Sequence, residues 1–168
     1  MKEEPKICHY LDLPIQHAND TILKRMGRRT SKQELIGIVQ KLRKEIPDIC
    51  LRTTLITGFP GETQEQHEEV MEFIDTLEFD RLGAFTYSPE EDTPAATFED
   101  QIDEEVKEDR QADIMELQQE IAFDKAEDMI GREVLVMIEG KVADENAYVG
   151  RTYRDAPNVD GLIFINTD

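Results

Sequence analysis

The sequence has no tryptophan and only two cysteines among its 168 residues. Cys8 and Cys50 do not form a CxxC pair, and the three histidines are not spaced with them as metal ligands. Two isolated cysteines give no disulfide framework, and the spacing favours buried thiols over a metal centre. We therefore expect no metal site built from the residues of this chain.

Long apolar stretches are also missing. No run of about 18 apolar residues occurs, as a transmembrane helix would require. The first five residues, MKEEP, lack the apolar centre of a signal peptide. These absences predict a cytoplasmic protein that has no membrane partner.

Basic residues are scarce, since 19 Lys and Arg stand against 38 Asp and Glu, for a net charge of −19. Such an excess speaks against general nucleic-acid binding and favours a basic macromolecular partner. The charge is uneven: residues 1–60 carry a net +4, residues 61–130 a net −20 and residues 131–168 a net −3. The acidity therefore belongs to the middle block.

Strand and helix patterns alternate through the first half of the chain. Strand patterns occur at 7–15, 49–57 and 81–87, and helical patterns separate them at 19–26, 31–46 and 64–77. Short connections between such elements predict right-handed βαβ units and a parallel sheet. The fold class is therefore α/β, with an incomplete parallel (β/α) barrel.

The pattern changes after a loop at 88–102. One long acidic helix is predicted at 103–129, and short strands follow at 134–139, 147–152 and 162–165, as at the beginning of a small β-barrel. We divide the chain into barrel (1–99), connecting helix (100–130) and β domain (131–168). Neither sheet is complete by this pattern, so we expect the chain to be a fragment of a longer protein.

Chemistry is expected at the carboxyl ends of the three parallel strands, where ligands bind in α/β folds. Gln16, Glu62 and Tyr87 stand at these ends and are predicted to line one pocket, in which Glu62 would accept hydrogen bonds from ribose or amine groups. The turn at 58–63, GFPGET, lacks the Lys-Ser/Thr ending of a P-loop. On its own it is more typical of a plain strand-to-helix turn.

Three segments, each at a strand end, are more specific together than any one of them alone. They are LDLPIQHAND, LRTTLITGFPGET and FDRLGAFTYSPEEDTPAA. They resemble the radical S-adenosylmethionine methylthiotransferases, and the likeness continues through the long helix that precedes the family's TRAM domain. The segments DLPIQHA and GRTYRDAPNVDG are similar to the RimO subgroup. That resemblance implies a barrel of the radical-SAM type and methylthiolation of an aspartate on small-subunit ribosomal protein twelve.

The resemblance also implies cofactor contacts. Thr54, Ile56, Gly58 and Glu62 resemble the family's adenine-contacting GxIxGxxxE stretch, with Thr54 where glycine is common. By the same likeness the other S-adenosylmethionine contacts are Gln16 at the ribose, Tyr87 and Ser88 at the adenine, and Arg52 at a carboxylate, with Arg29 a weaker candidate.

The sequence departs from the family at two places. The family's CxxxCxxC, whose thiolates hold the radical-generating 4Fe-4S cluster, is absent, as is the domain with a second cluster. We therefore expect both cluster ligand sets to lie outside this chain, in a missing N-terminal part, and the chain alone to be inactive with no catalytic residue. Asp92 stands where the family usually has glycine, in a loop predicted to need a left-handed backbone.

Two alternatives stay open. One is a fragment of a tRNA adenosine methylthiotransferase. The acidic middle block disfavours this interpretation, because the block would repel RNA and attract a basic ribosomal protein. The other is a non-catalytic acidic binding module that retains only the scaffold. The missing CxxxCxxC is the feature that favours the latter.

Overall fold

The computed structural model describes residues 1–167 and contains six strands and four α-helices in those residues. The elements in chain order are β1 Tyr10–Asp12, α1 Asp20–Arg25, α2 Lys32–Glu45, β2 Cys50–Thr57, α3 Gln64–Leu77, β3 Arg81–Thr86, a 3-10 turn Pro94–Thr97, α4 Glu104–Glu127, β4 Met137–Lys141, β5 Ala147–Arg151 and β6 Ile163–Asn166.

The first three strands form a parallel sheet in the order β1-β2-β3, which confirms the predicted α/β fold. Side chains of β2 alternate between the two faces of the sheet. Leu51 and Leu55 are buried in the main hydrophobic core, whereas Thr54 and Ile56 face the half-exposed interior. The helix-side face is thus sealed, and the opposite face is left open to a ligand.

Local capping fixes where α1, α2 and α3 begin. Asn19, Ser31 and Thr63 each accept hydrogen bonds from amides of the following turn, and Ser31 and Thr63 form complete capping boxes with Glu34 and Gln66. Helix α2 lies within the predicted 31–46, with Ser31 as its N-cap, and α3 has the predicted bounds of 64–77.

Strand β1 is shorter than the predicted 7–15. Its partner β2 begins at Cys50, which lies opposite Tyr10, so the residues before Tyr10 have no strand beside them. Pro14 has no amide hydrogen and interrupts the ladder beyond Asp12. The pairing resumes as an isolated bridge between Gln16 and Leu55.

Helix α4 packs along the edge of β3 that does not face β2. The side-chain amide of Gln111 donates to the Ala84 carbonyl at 2.6 Å, and that of Gln118 donates to the Phe79 carbonyl at 2.9 Å. Gln111 thus provides a β3 carbonyl with a hydrogen bond that another strand would otherwise supply, and Gln118 bonds the residue two positions before the strand. The edge is thereby protected from pairing with a second chain.

The last three strands form an antiparallel sheet in the order β4-β5-β6. Strand β4 begins three residues later than predicted, because Met137 lies opposite Arg151, the last residue of β5. Several large apolar side chains of this region are exposed, among them Leu135 and Phe164.

Candidate functional site

An open groove of about 950 Å³ lies at the carboxyl ends of β1, β2 and β3. Both polar and apolar side chains line it: Gln16, Arg25, Met26, Arg28, Thr54, Ile56, Phe59, Phe85, Thr86, Tyr87, Ser88, Glu90, Thr93, Pro94 and Ala95, with Gly27. Five of the predicted cofactor contacts are therefore brought together, namely Gln16, Thr54, Ile56, Tyr87 and Ser88.

Gln16 holds an uncommon backbone conformation at the edge of this groove. Its φ of 76° lies in the left-handed region, which a residue with a side chain rarely adopts. Two backbone hydrogen bonds hold it there: its amide donates to the Thr54 carbonyl, and its carbonyl accepts from the Ile56 amide. Backbone strain sustained at a pocket is typical of a functional position.

Tyr87 presents an unused polar atom at the groove. The side chain is almost wholly buried, and its hydroxyl has no hydrogen-bond partner among residues 1–167. Phe59 packs edge-on against the Tyr87 ring, with centroids 5.2 Å apart. Because buried hydroxyls are normally paired, this orphaned group is suited to a polar ligand that enters the groove.

Gly58 and Glu62 do not line the groove but lie behind it. The Glu62 carboxylate is buried and accepts hydrogen bonds from the Gly58 amide at 2.9 Å and from Arg110 Nη1 at 2.9 Å. His17 Nε2 lies 3.4 Å from the same carboxylate. With its oxygens occupied in this way, Glu62 shapes the turn rather than offering an acceptor to ribose.

Arg52 and Arg29 also lie outside the groove lining. Arg52 stands near the amino end of β2, where its Nη1 donates to Asp160 Oδ1 at 2.6 Å and its Nε lies 3.5 Å from Asp12. A side chain engaged by two carboxylates at the amino end of the sheet is not available to a carboxylate at the other end.

The loop of residues 152–160, called the 152–160 loop below, covers this amino end. The Asp160 side chain is buried and accepts hydrogen bonds from Arg52 and from the Tyr10 hydroxyl at 2.8 Å, while Asp155 accepts from Arg81 at 2.8 Å. Burial and the Asp160 carboxylate raise the pKa of the Tyr10 hydroxyl.

A second ion pair joins the same loop to the sheet. Arg154 Nη2 donates to Asp80 Oδ1 at 2.7 Å, and Asp80 Oδ2 accepts from the Leu51 amide. Cys50, next to these groups, is fully buried, and burial raises the pKa of its thiol to about 12. The thiol is therefore protonated at neutral pH and has the inert character expected of a structural cysteine.

Residues that the sequence reading missed complete the groove. Phe59 is the second residue of the turn at 58–63, and Phe85, more than half exposed, follows the inward alternation of β3. Arg25 pairs through two hydrogen bonds of 2.8 Å with Asp100 and lies 4.9 Å from the Phe98 ring centre. The Arg25 guanidinium lowers the pKa of the Asp100 carboxyl. Period-two alternation along β3 was the signal available for Phe85.

Residues 1–167 hold neither a cluster of metal-ligating side chains nor a helix suited to a membrane. No cluster of three or more His, Cys, Asp or Glu side chains in this range is arranged to hold a metal ion. None of the helices in the same range combines the length and apolar character needed to cross a lipid bilayer.

Comparison with known proteins gives a consistent result. Residues 1–74 match the Radical SAM superfamily, and residues 130–168 match the TRAM domain. The chain is 63% identical over 167 residues to the ribosomal protein uS12 methylthiotransferase RimO of Lachnoclostridium phytofermentans and 51% identical to that of Desulfitobacterium hafniense. Each alignment covers 99% of this chain, and the chain spans 38% and 37% of the two relatives' length.

Among solved structures, the chain is similar to Escherichia coli coproporphyrinogen III oxidase, HemN, described as a radical SAM enzyme. The TM-score is 0.52 at 23% identity, over 74% of this chain and 29% of that one. At this identity the likeness supports the fold alone, and it agrees with the parallel sheet.

Proposed function

Since the chain belongs to the RimO type of the radical S-adenosylmethionine methylthiotransferases, we propose that it forms part of an enzyme that methylthiolates an aspartate of ribosomal protein uS12. Within that enzyme the chain provides the cofactor groove and the TRAM-like domain. The observation that carries the proposal is 63% identity to a RimO relative along 99% of the chain. The expected barrel, helix and β-domain boundaries, at 1–99, 100–130 and 131–168, belong to the same proposal.

S-adenosylmethionine fits the residues of the groove. Thr54 and Ile56 offer a mixed polar and apolar floor, Phe59 and Tyr87 offer aromatic surface, and the Tyr87 hydroxyl lacks a partner within residues 1–167. Aromatic and apolar walls with a few polar groups are typical of nucleoside pockets. When bound, the cofactor supplies a methyl group and the radical chemistry that activates the aspartate. The residues of this chain bind it, orient it and limit water around it.

Iron–sulfur clusters do not fit the residues of this chain. The sequence has two cysteines, of which Cys50 is buried and engaged with the Arg154 carbonyl at 3.5 Å, and a 4Fe-4S cluster needs about three or four thiolates. We place the two clusters of the proposed enzyme in the longer protein, and we derive no step of the reaction through them.

A basic protein substrate suits the charge of the chain. The block 61–130 has a net charge of −20, and α4 presents most of its carboxylates to solvent. Opposite charge speeds association and favours correct partners, whereas an RNA backbone would be repelled. Ribosomal proteins are basic as a class, so uS12 is favoured over tRNA. We propose that the reaction takes place in the cytoplasm.

The test is a chimera. In the L. phytofermentans relative, the segment that this chain matches is replaced by the chain itself, and the purified chimera is reconstituted with iron and sulfide. We expect mass spectrometry to detect one methylthio group on an aspartate of uS12. The isolated 168-residue chain, treated identically, is expected to give no product.

Two further experiments with the chimera decide between the proposed function and its two alternatives. The chimera is also offered tRNA, and modification of tRNA in place of uS12 would contradict the proposed substrate. A chimera that incorporates iron normally but modifies neither would contradict the enzymatic proposal and favour a binding module. A Tyr87→Ala chimera, in which the groove loses its aromatic wall, is expected to be strongly impaired.

A further inference from the structure

Two buried cations of α4 lie directly behind the groove and are absent from its lining. Lys107 and Arg110 stand in the first two turns of the helix, and both are about 95% buried. Lys and Arg are almost never buried to this degree unless they are paired. Their partners therefore indicate what they stabilise.

Lys107 joins the ends of β2 and β3. Its ammonium donates to the Tyr87 carbonyl at 3.0 Å and to the carboxylate of Glu104, one turn earlier on α4, also at 3.0 Å. It lies 5.6 Å from the centre of the Tyr87 ring. The Thr57 hydroxyl donates to the Lys107 carbonyl at 3.2 Å. Both strand ends are thus attached to one residue of the helix.

The path of the Lys107 side chain depends on Gly58. A Cβ atom at Gly58 would lie 2.2 Å from Lys107 Cγ, and the φ of Gly58 is +67°. The absence of a side chain at Gly58 therefore makes room for Lys107 to pass and reach Tyr87. The glycine that the family resemblance links to adenine has a second role in this chain, which is to admit the cation.

Arg110 fixes the turn itself. Its Nη1 donates to the carboxylate of Glu62 at 2.9 Å and to the Glu62 carbonyl at 3.1 Å. The same carboxylate binds the Gly58 amide and neighbours His17, which directly follows Gln16 in the chain. The ends of β2 and β3 and the turn at 58–63 are therefore connected to α4, and the residue after Gln16 lies beside the same buried Glu62 carboxylate.

We propose that Lys107 and Arg110 are positioning residues, which hold the three strand ends of the S-adenosylmethionine groove in register through Tyr87, Gly58 and Glu62. The inference rests on the proposed function for the identity of the ligand. It also couples the groove to α4, the helix that leads to the TRAM-like domain. Neither cation touches the ligand in this proposal.

The test compares Lys107→Met with Lys125→Met in the full 168-residue chain. Methionine keeps the apolar stem beside Gly58 and removes only the ammonium, and Lys125 lies near the other end of the same helix, 3.9 Å from an exposed Glu78. Two quantities are measured: the affinity for S-adenosylhomocysteine by calorimetry, and hydrogen exchange of amides 58–62 and 87–93.

We expect Lys107→Met to weaken S-adenosylhomocysteine binding about tenfold, as the loss of one buried charge-assisted hydrogen bond implies. Amides 58–62 and 87–93 should exchange faster in this variant, while those of β5 stay unchanged. Lys125→Met should match the unmodified chain, and Lys107→Arg, which retains a cation, should recover part of the lost affinity. A purely structural role would instead accelerate exchange throughout the parallel sheet.

Contrary outcomes separate the two proposals. Unchanged affinity and unchanged exchange in Lys107→Met would overturn the positioning role. An unmodified chain that does not bind S-adenosylhomocysteine would contradict the ligand assignment, and the exchange result would still decide whether Lys107 fixes the loops. If Arg110→Met does not fold because Glu62 is left buried and unpaired, Arg110→Met with Glu62→Gln removes both charges, and faster exchange at 58–62 is again expected.

Discussion

The two ends of the parallel sheet are built in opposite ways. At the amino end, the 152–160 loop inserts buried carboxylates between arginines, with Asp160 on Arg52 and Asp155 on Arg81. At the carboxyl end, an open groove lined with aromatic and small polar side chains remains. The same three strands therefore end in a closed charged contact on one side and an open site on the other.

This difference assigns stability to the closed amino end of the sheet and ligand binding to the open carboxyl end. Arginines point from the strands toward the closed end, where each finds a carboxylate, and the groove keeps a hydroxyl without a partner at Tyr87. In α/β barrels, the amino face carries stability and the carboxyl face carries function. The segment GRTYRDAPNVDG, which suggested the RimO subgroup from sequence, includes the residues that close the amino end.

The largest effect is expected from Asp160→Ala. Removing this carboxylate leaves Arg52 with a single distant partner, Asp12, and leaves the Tyr10 hydroxyl and the Ala156 amide unpaired. Breaking a buried ion pair from one side costs about 3 kcal/mol or more, so the free energy of unfolding in urea should fall by that amount. Asp12→Ala, at a half-exposed position, is the control and should cost below about 1 kcal/mol. Equal losses in both variants would show that the closed end is not specially stabilised.

Gly58→Ala should have the next largest effect, and it acts at the groove. The new Cβ meets both a left-handed φ and the Lys107 stem, so we expect a loss of about 2 kcal/mol in unfolding free energy. Gly27→Ala is the matched control, because Gly27 has a φ of +75° but no atom within 4 Å of the added Cβ. It should cost about 1 kcal/mol. If the two variants are equally stable, Lys107 moves aside freely.

Sequence reasoning succeeded where the determinants are local. The predicted helices at 31–46 and 64–77 are confirmed, and their starts depend on neighbours a few residues away, through the capping boxes at Ser31 and Thr63. Asp92 has the predicted left-handed backbone, with a φ of 67°.

The roles of Arg52 and Glu62 could not be predicted from local sequence, because their partners are distant in the chain. Arg52 is paired with a residue 108 positions away, and Glu62 with one 48 positions away. The alternation of a strand predicts the face of the sheet on which a side chain lies. Whether a charged side chain points to the amino or the carboxyl end of the sheet depends on partners that are remote in the sequence.

A smaller effect is expected from pH at the closed end. Burial alone would raise the pKa of the Asp155 carboxyl, but hydrogen bonds from Thr152 and Arg81 lower it below 3.8 overall. A lowered pKa in the folded state contributes stability above the unfolded pKa of about 4, and this contribution is lost as the pH falls through the folded pKa. Asp155→Asn should flatten the dependence of unfolding free energy on pH as the pH falls below about 4. If the dependence of unfolding free energy on pH is unchanged in this variant, other carboxyl groups determine the loss of stability at acidic pH.

The smallest effect is expected from Asp92→Gly in the exposed loop beside the groove. Glycine removes the strain of a left-handed φ, which favours the folded state, but it also gains more freedom in the unfolded chain, which opposes it. The two contributions are each about 1 kcal/mol, so the net change should stay within about 0.5 kcal/mol in thermal unfolding. Asp92→Ala keeps the strain and loses the polar side chain that eases it, and should cost about 1 kcal/mol. A large loss from Asp92→Gly would mean that the Asp92 carboxylate stabilises the open end, and the contrast between the two ends would then weaken.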